Sequence, residues 1–345
     1  MKQVATGELT PGMAAGAEIS DFDGGRKLVA KGVRLTRTQI ANINNRGIDS
    51  VVVAEEPAGD GNMTETGFLE LYSRTFGEVE AAFRRLQEGG VVPVTQMAGI
   101  VERGLAPLGE AIGAIEFLYR IRCHSMSTFR HSLDVSIIAG LLGRWCGYEG
   151  DDLRDLFLAA LLHDIGKVIV PLAILDKAGP LSPEEFSVIK KHALAGYRMV
   201  AAERRLGDSV KLGILQHHER LDGSGYPDGL DGAGISAAAK VIAVADVYGA
   251  MTSDRPYRAR LTPFAVLDTI AEQMYQTLDP QVCLTFLAGM RDRLTGCRVT
   301  LSDGRQGKVV GFGSRDDNLT APVVCLETGG LVDLREAAIR IAGMA

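Results

Sequence analysis

The sequence is sparing with cysteine, long apolar runs, basic excess and histidine, and each scarcity narrows the reading. Five cysteines (Cys123, Cys146, Cys283, Cys297, Cys325) are scattered through 345 residues with no Cys-x-x-Cys pair. Neither a disulfide framework nor a zinc ribbon is indicated, and the thiols read as small core side chains. No apolar run approaches the ~18 residues that span a bilayer, and the stretch from Met1-Lys2-Gln3-Val4 onward has no apolar signal region. The expectation is a cytoplasmic chain with no membrane contact. A formal net charge of −6 argues against DNA or RNA as partner, because coating phosphates needs clustered Lys and Arg. A small anionic ligand remains compatible. With 46% hydrophobic and 23% charged residues, the composition is that of a globular protein long enough for two or three folding units.

The six histidines are unevenly placed. His124 stands before the rest and reads as structural or solvent-facing, while His131, His163, His192, His217 and His218 fall within positions 131 to 218. His163 is followed at once by Asp164 in Leu161-Leu162-His163-Asp164-Ile165-Gly166-Lys167. Such a pair offers one imidazole nitrogen and one carboxylate, whose two oxygens can bridge two ions. Asp246 stands inside the apolar run Val241, Ile242, Val244, Ala245 and Val247. Burying that carboxylate without a cation or donors costs several kcal/mol. Each residue has a bland reading when taken alone. His163 with Asp164 fits a helix-end hydrogen-bonded pair, and His217-His218 fits cations at a helix C-terminus. Asp246 fits a partner of Arg255 or Arg258, and His192 fits a solvated ring beside Lys190 and Lys191. Five imidazoles grouped with carboxylates favour a metal centre.

Four segments follow from the pattern. Residues 1–58 alternate short apolar pieces with glycine turns and read as a small β-rich unit of about five strands with one helix from Thr36 to Asn45. Residues 59–118 change to helical periodicity, with Phe68, Leu71, Tyr72, Phe76, Val79 and Phe83 in one stripe, and form a helical linker. Residues 119–293 are nearly all helical. One helix, with Leu153, Leu156, Phe157, Ala160 and Leu161 in a stripe and Leu158, Ala159 and Leu162 filling the other side, delivers His163 and Asp164 to the interior just before Gly166, which suits a left-handed helix end. Ser182, Pro183 and Glu185 start the helix that carries His192, a helix from Asp208 ends at His217-His218, and Ser236 caps the helix of Asp246. Residues 294–345 return to β, a compact appendage with a turn at Asp303-Gly304.

The ordered set His131, His163-Asp164-Ile165-Gly166-Lys167, His192, His217-His218-Glu219-Arg220, Asp222-Gly223-Ser224-Gly225-Tyr226-Pro227 and Val244-Ala245-Asp246-Val247-Tyr248, continued by Thr252-Ser253-Asp254-Arg255-Pro256-Tyr257-Arg258, closely resembles the HD-GYP family over residues 120 to 290. The resemblance implies a mainly α fold: an HD-superfamily helical bundle with small β-rich N-terminal and C-terminal units. It implies a metal-dependent phosphodiesterase that opens cyclic di-GMP to pGpG, with an onward step to GMP left open. His131, His163, Asp164 and Asp246 would surround one metal, and His192, His217 and His218 another, with Asp164 bridging. Lys167, Gly225, Tyr226, Pro227, Arg255 and Arg258 fall at dinucleotide-binding positions, and Asp164 and Lys167 at catalytic ones. A nitrogen and oxygen ligand set without thiolate suits Fe, Mn or Ni, with Zn also compatible.

Three positions depart from the family pattern. Ser127 stands where trimetal members carry a Glu four residues before the His131 position, so two divalent transition-metal ions are expected. Gly249 replaces a common Asp and removes an expected partner of Lys167, and Asp134 replaces basic or polar residues with no role evident. Two alternatives stay open: the same chemistry on another cyclic dinucleotide, or a catalytically weak cyclic di-GMP sensor or scaffold. Residues 1–118 are candidates for a regulatory protein contact or a homodimer seam.

Overall fold

A computed structural model describes residues 2–10, 13, 15–20, 27–30, 33, 35–53, 63–88, 91–121, 128–177, 179–254, 259–313 and 320–344. The chain is mainly α, with small β units at both ends. It divides into two compact units, one of Glu65–Glu110 with Ala114–Phe286 and one of Met1–Thr64 with Ala111–Gly113 and Leu287–Ala345. Among the described residues no helix is long and apolar enough to cross a membrane.

The N-terminal segment holds β1 (Lys2–Ala5), β2 (Ile19–Ser20), β3 (Lys27–Val29), α1 (Arg37–Asn45) and β4 (Ser50–Val53). Four strands are therefore seen among the described residues, in two antiparallel pairs, β1 with β4 and β2 with β3. Thr36 and Gln39 form a reciprocal capping box that starts α1. Val4, Ile19, Val29, Leu35, Ile43, Val51 and Val53 form the core beneath them.

The helical unit begins with α2 (Glu65–Gln87), α3 (Val94–Ile100), α4 (Ala106–Glu110) and α5 (Ala114–Ile121). The segment read from sequence as a linker thus belongs to the same compact unit as the helices that follow it. Phe68, Tyr72, Val79 and Phe83 of α2 are buried, as the stripe requires. Tyr72 donates its hydroxyl to the buried Asp134 at 2.7 Å. A single acidic residue among Leu133, Val135 and Ile137 was the available sequence signal for that contact.

The remaining helices are α6 (Thr128–Trp145), α7 (Gly150–Leu162), α8 (Leu172–Leu175), α9 (Pro183–Val200), α10 (Asp208–Gln216), α11 (Ala237–Met251), α12 (Pro263–Gln273) and α13 (Pro280–Leu294). α7 packs on α6 so closely that a Cβ at Gly140 would lie 2.0 Å from the Phe157 ring. The tight 3₁₀ turn Ile165–Ile169 follows His163, and here the left-handed helix end expected at Gly166 is not found. Gly166 is absent from the left-handed residues. Its hydrogen instead abuts α9, since a Cβ would fall 2.0 Å from the His192 carbonyl oxygen and 2.5 Å from the Gly196 nitrogen. Close backbone packing, not cap geometry, accounts for this glycine, and it draws the turn after Asp164 against the helix of His192.

The C-terminal segment is one antiparallel sheet of β5 (Arg298–Leu301), β6 (Gln306–Phe312), β7 (Pro322–Leu326), β8 (Leu331–Asp333) and β9 (Ile341–Met344), ordered β8-β7-β6-β5-β9. The edge strand β9 escaped the sequence reading because Ile341-Ala342-Gly343-Met344 is short and poor in β-branched residues. Cys146, Cys283, Cys297 and Cys325 are free thiols.

Candidate metal centre

Two helix ends and three helix flanks bring seven side chains to one interior point. α7 ends at His163, α10 ends at Gln216 just before His217 and His218, α9 contributes His192 from its middle, and α6 and α11 contribute His131 and Asp246. His163, Asp164, His192 and His217 are buried to 1% or less, a depth rarely tolerated by polar groups without partners.

Asp164 lies between two imidazole sets. Its Oδ1 faces His192 Nε2 at 3.2 Å and His217 Nε2 at 4.0 Å. Its Oδ2 faces His163 Nε2 at 3.3 Å and His131 Nε2 at 3.8 Å. Two groups of convergent donor atoms result, one of His131, His163 and Asp164, the other of Asp164, His192, His217 and His218. Asp246 sits beside both, with Oδ1 2.9 Å from His131 Nε2 and Oδ2 4.0 Å from His218 Nδ1.

The ring orientations are set by the backbone. His163 Nδ1 meets the Ala160 carbonyl at 2.7 Å, His192 Nδ1 that of Ile189 at 2.8 Å, and His217 Nδ1 that of Ile214 at 2.7 Å. A ring that donates Nδ1–H to a carbonyl keeps an unprotonated Nε2 lone pair, and all three point inward. His163 Nε2 and Asp164 Oδ1 have no hydrogen-bond partner among the described residues. Buried lone pairs that converge without hydrogens fit a cation, and the nitrogen and carboxylate donors fit a divalent transition metal.

The electrostatics point the same way. Burial lowers the pKa of His217, helped by the neighbouring rings of His218, His163 and His192, and burial takes His218 down to about 3 against the raising effect of Asp246. Burial also lowers His131, although Asp246 and Asp164 oppose it. For Asp164, burial acts upward, but Lys167, His163 and His192 outweigh it and hold the carboxyl well below its usual range. Asp246 behaves likewise, with His131 the main counterweight to burial. His163 is the exception: burial lowers it, yet Asp164, Asp246 and the Ala160 carbonyl bring it above its usual value. Neutral rings beside ionised carboxylates are the protonation states a metal needs.

Lys167 lies 2.5 Å from Asp164 Oδ2, its side chain 23% exposed. The partner it was expected to lose at Gly249 is thus supplied by Asp164. A Cβ at Gly249 would instead meet Val135 at 3.0 Å and the His131 ring at 3.8 Å. At the outer side, the Tyr226 ring lies 4.7 Å from that of His218 and 6.2 Å from that of His192. Burial and the carboxylates of Asp164 and Asp246 push its phenol upward, so it stays protonated. Pro227 follows it in the same loop, and Gly225 permits the loop's close return, since a Cβ there would lie 2.4 Å from Arg220 N and Glu219 Cα. Arg255 and Arg258, like Ser127 and His124, lie outside the described residues.

Glu219 stands in the motif His217-His218-Glu219-Arg220, where its place in the sequence assigns it no role. It is 2% exposed, and its carboxylate accepts the backbone N–H groups of Asp228 at 2.8 Å and Leu230 at 2.9 Å. That pins the far end of the loop bearing Tyr226. An acidic residue immediately after two candidate ligands suggests another ligand, and only the fold separates the roles.

Residues 121–282 match the family model described as HD domain. A cyclic di-GMP phosphodiesterase of Pseudomonas aeruginosa is 35% identical over 240 residues, 70% of this chain and 58% of that protein. A 3′3′-cGAMP-specific phosphodiesterase of Vibrio cholerae is 38% identical over 160 residues, 46% of this chain and 37% of that protein. The chain thus spans less than two thirds of the length of either. Among solved structures, the "HDG"Y"P protein" Bd1817 of Bdellovibrio bacteriovorus aligns with a TM-score of 0.53 at 15% identity, covering 83% of this chain and 97% of that one, a likeness of fold.

Proposed function

We propose, from the match of residues 121–282 to the HD domain family model, a metal-dependent phosphodiesterase of the HD-GYP kind that hydrolyses cyclic di-GMP to linear pGpG. The observation that carries this reading is Asp164, whose two oxygens address two separate histidine sets at 3.2 to 4.0 Å. His131, His163, Asp164 and Asp246 would hold one ion and Asp164, His192, His217 and His218 a second. Ser127, a poor ligand, supports two ions, and the donor set favours Fe, Mn or Ni with Zn compatible. When bound, such ions lower the pKa of a water to near neutrality and withdraw charge from phosphoryl oxygens.

The chain's own groups supply the rest. The backbone-anchored rings of His163, His192 and His217 fix the donor atoms in advance, so little reorganisation accompanies reaction. Lys167, partly exposed beside Asp164, presents an ammonium to the phosphate as charge develops on its oxygens. Water oxygen joins phosphorus while the phosphorus bond to the 3′ oxygen breaks, and the 3′ oxygen leaves with a proton. Tyr226, protonated at neutral pH, gives an O–H donor and a ring face at the rim. Arg255 and Arg258 are proposed from sequence as further phosphate contacts.

Among relatives that match this chain, some act on cyclic di-GMP and some are specific for 3′3′-cGAMP by name, so the substrate is the point to test. The purified protein, loaded with Mn or Fe and assayed for metal content, should cleave cyclic di-GMP in preference to cyclic di-AMP and 3′3′-cGAMP and yield pGpG. Cleavage of 3′3′-cGAMP with cyclic di-GMP unchanged would replace the substrate; tight cyclic di-GMP binding without turnover would replace catalysis with sensing.

A further inference from the structure

The proposed reaction gives no role to Phe186 and Lys190, two side chains packed beside Tyr226. Two turns before His217's neighbour His192 on α9, Phe186 is 44% exposed although it is a large apolar ring. Its ring stands 6.4 Å from that of Tyr226 at 86°, so the two make a right-angled corner. Lys190, one turn after Phe186, places Nζ 5.1 Å from the Phe186 centroid and 5.8 Å from that of Tyr226. No carboxylate among the described residues pairs with this ammonium. The corner is continuous with the metal centre, because the Tyr226 ring also abuts His218 and His192.

We infer that Phe186, Tyr226 and Lys190 form a nucleobase subsite that selects guanine, an inference that rests on the cyclic-dinucleotide reading. An exposed aromatic face next to a phosphate-binding centre suits stacking, since every base offers a π face. The selectivity lies with Lys190. Guanine presents two adjacent acceptors, O6 and N7, whereas adenine presents N7 beside an amino donor. An ammonium held at the aromatic corner meets an acceptor pair in the first case and a like-signed donor in the second. Stacking on Phe186 is indifferent to the base, so the two side chains divide affinity and identity between them.

The test uses the full chain with its metals and four readouts: metal content, Kd for GMP and for AMP by calorimetry, and the kcat/KM ratio of cyclic di-GMP to 3′3′-cGAMP. Phe186→Ala, at an exposed position, should weaken GMP and AMP alike by about tenfold. Lys190→Met, which keeps the aliphatic stem, should weaken GMP about tenfold, leave AMP within twofold and reduce the kcat/KM ratio. Metal content should stay at the parent value in both. Equal losses for GMP and AMP on Lys190→Met would overturn the inference, showing an ammonium that attracts phosphate only; unchanged affinities in both variants would overturn it as well. If the parent protein cleaves no cyclic dinucleotide, the activity reading fails separately, and the mononucleotide affinities still decide the subsite.

Discussion

The Nε2 atoms of His192 and His217 face one another at 3.2 Å. Each ring meets a main-chain carbonyl with Nδ1, so the facing nitrogens both carry lone pairs. Lone pairs at that distance repel unless a proton or a cation lies between them. The separation matches two ligands on one ion at metal–nitrogen bonds of about 2.1 Å.

Metal should therefore stabilise the fold. At a free ion concentration of 100 times Kd, the gain is about 2.7 kcal/mol per site. Chelation followed by readdition of Mn should lower and then restore Tm. An unchanged Tm would contradict a metal held by these residues.

Asp164→Asn retains shape and removes the charge shared by the two histidine sets. It should lose metal and hydrolysis together while far-ultraviolet circular dichroism remains that of the parent, because α7 is fixed by buried Leu156, Phe157, Leu161 and Leu162. Retention of full metal content by this variant would refute the bridging role.

The metal-free protein should lose stability in acid. His218 falls to about 3 in the fold against roughly 6.5 when unfolded. Between those values the unfolded chain binds a proton that the folded chain refuses, so stability falls as pH drops through that window. His217 and His131 act in the same direction. Asp164 and Asp246, lowered in the fold, extend the loss below their unfolded values near 4. His163, raised in the fold, opposes the trend: its contribution is present below its unfolded value and vanishes as pH rises through its folded one. Urea midpoints from pH 7 to 4 should fall, and His218→Gln should flatten the slope by up to about 1.4 kcal/mol per pH unit. Equal slopes would show that His218 titrates normally.

Gly166→Ala tests the contact that seats the turn of Asp164 on α9. Its methyl would meet backbone atoms of His192 and Gly196, which cannot rotate away. A loss of about 1–3 kcal/mol is expected, together with weaker metal binding because a ligand helix must shift. Parent-like denaturation and metal affinity would count against that packing.

Glu219→Ala should free the loop between Asp222 and Leu230 by leaving two N–H groups without their acceptor. Metal content should persist, KM should rise about tenfold or more, and kcat should change less; Glu219→Gln should recover part of the KM. Loss of metal in the alanine variant would instead make Glu219 part of the ligand set.

The convergence of imidazoles on Asp164 was legible because these residue types are costly to bury, and five imidazoles within one helical stretch have few other uses. Helix starts at Ser182 and Ser236 were legible from local capping chemistry. What depended on three-dimensional approach was not. Gly166 read as a helix end because a sequence shows conformational freedom and conceals a neighbouring backbone. Lys167's partner was sought at position 249, although the turn beyond His163 folds the lysine back on Asp164. Phe186 falls in line with the apolar Ile189, Ala193 and Tyr197 of its helix, and only its exposure beside Tyr226 separates it from the core.

The hydroxyl of Tyr72 bound to Asp134 has a practical corollary. A fragment cut at residue 119 would retain the histidines yet strip α2 from α6, leaving an acidic group in the interior without its phenol and baring the surface that Phe68 and Phe83 had covered. A piece of this chain meant to keep that interior closed therefore has to include α2.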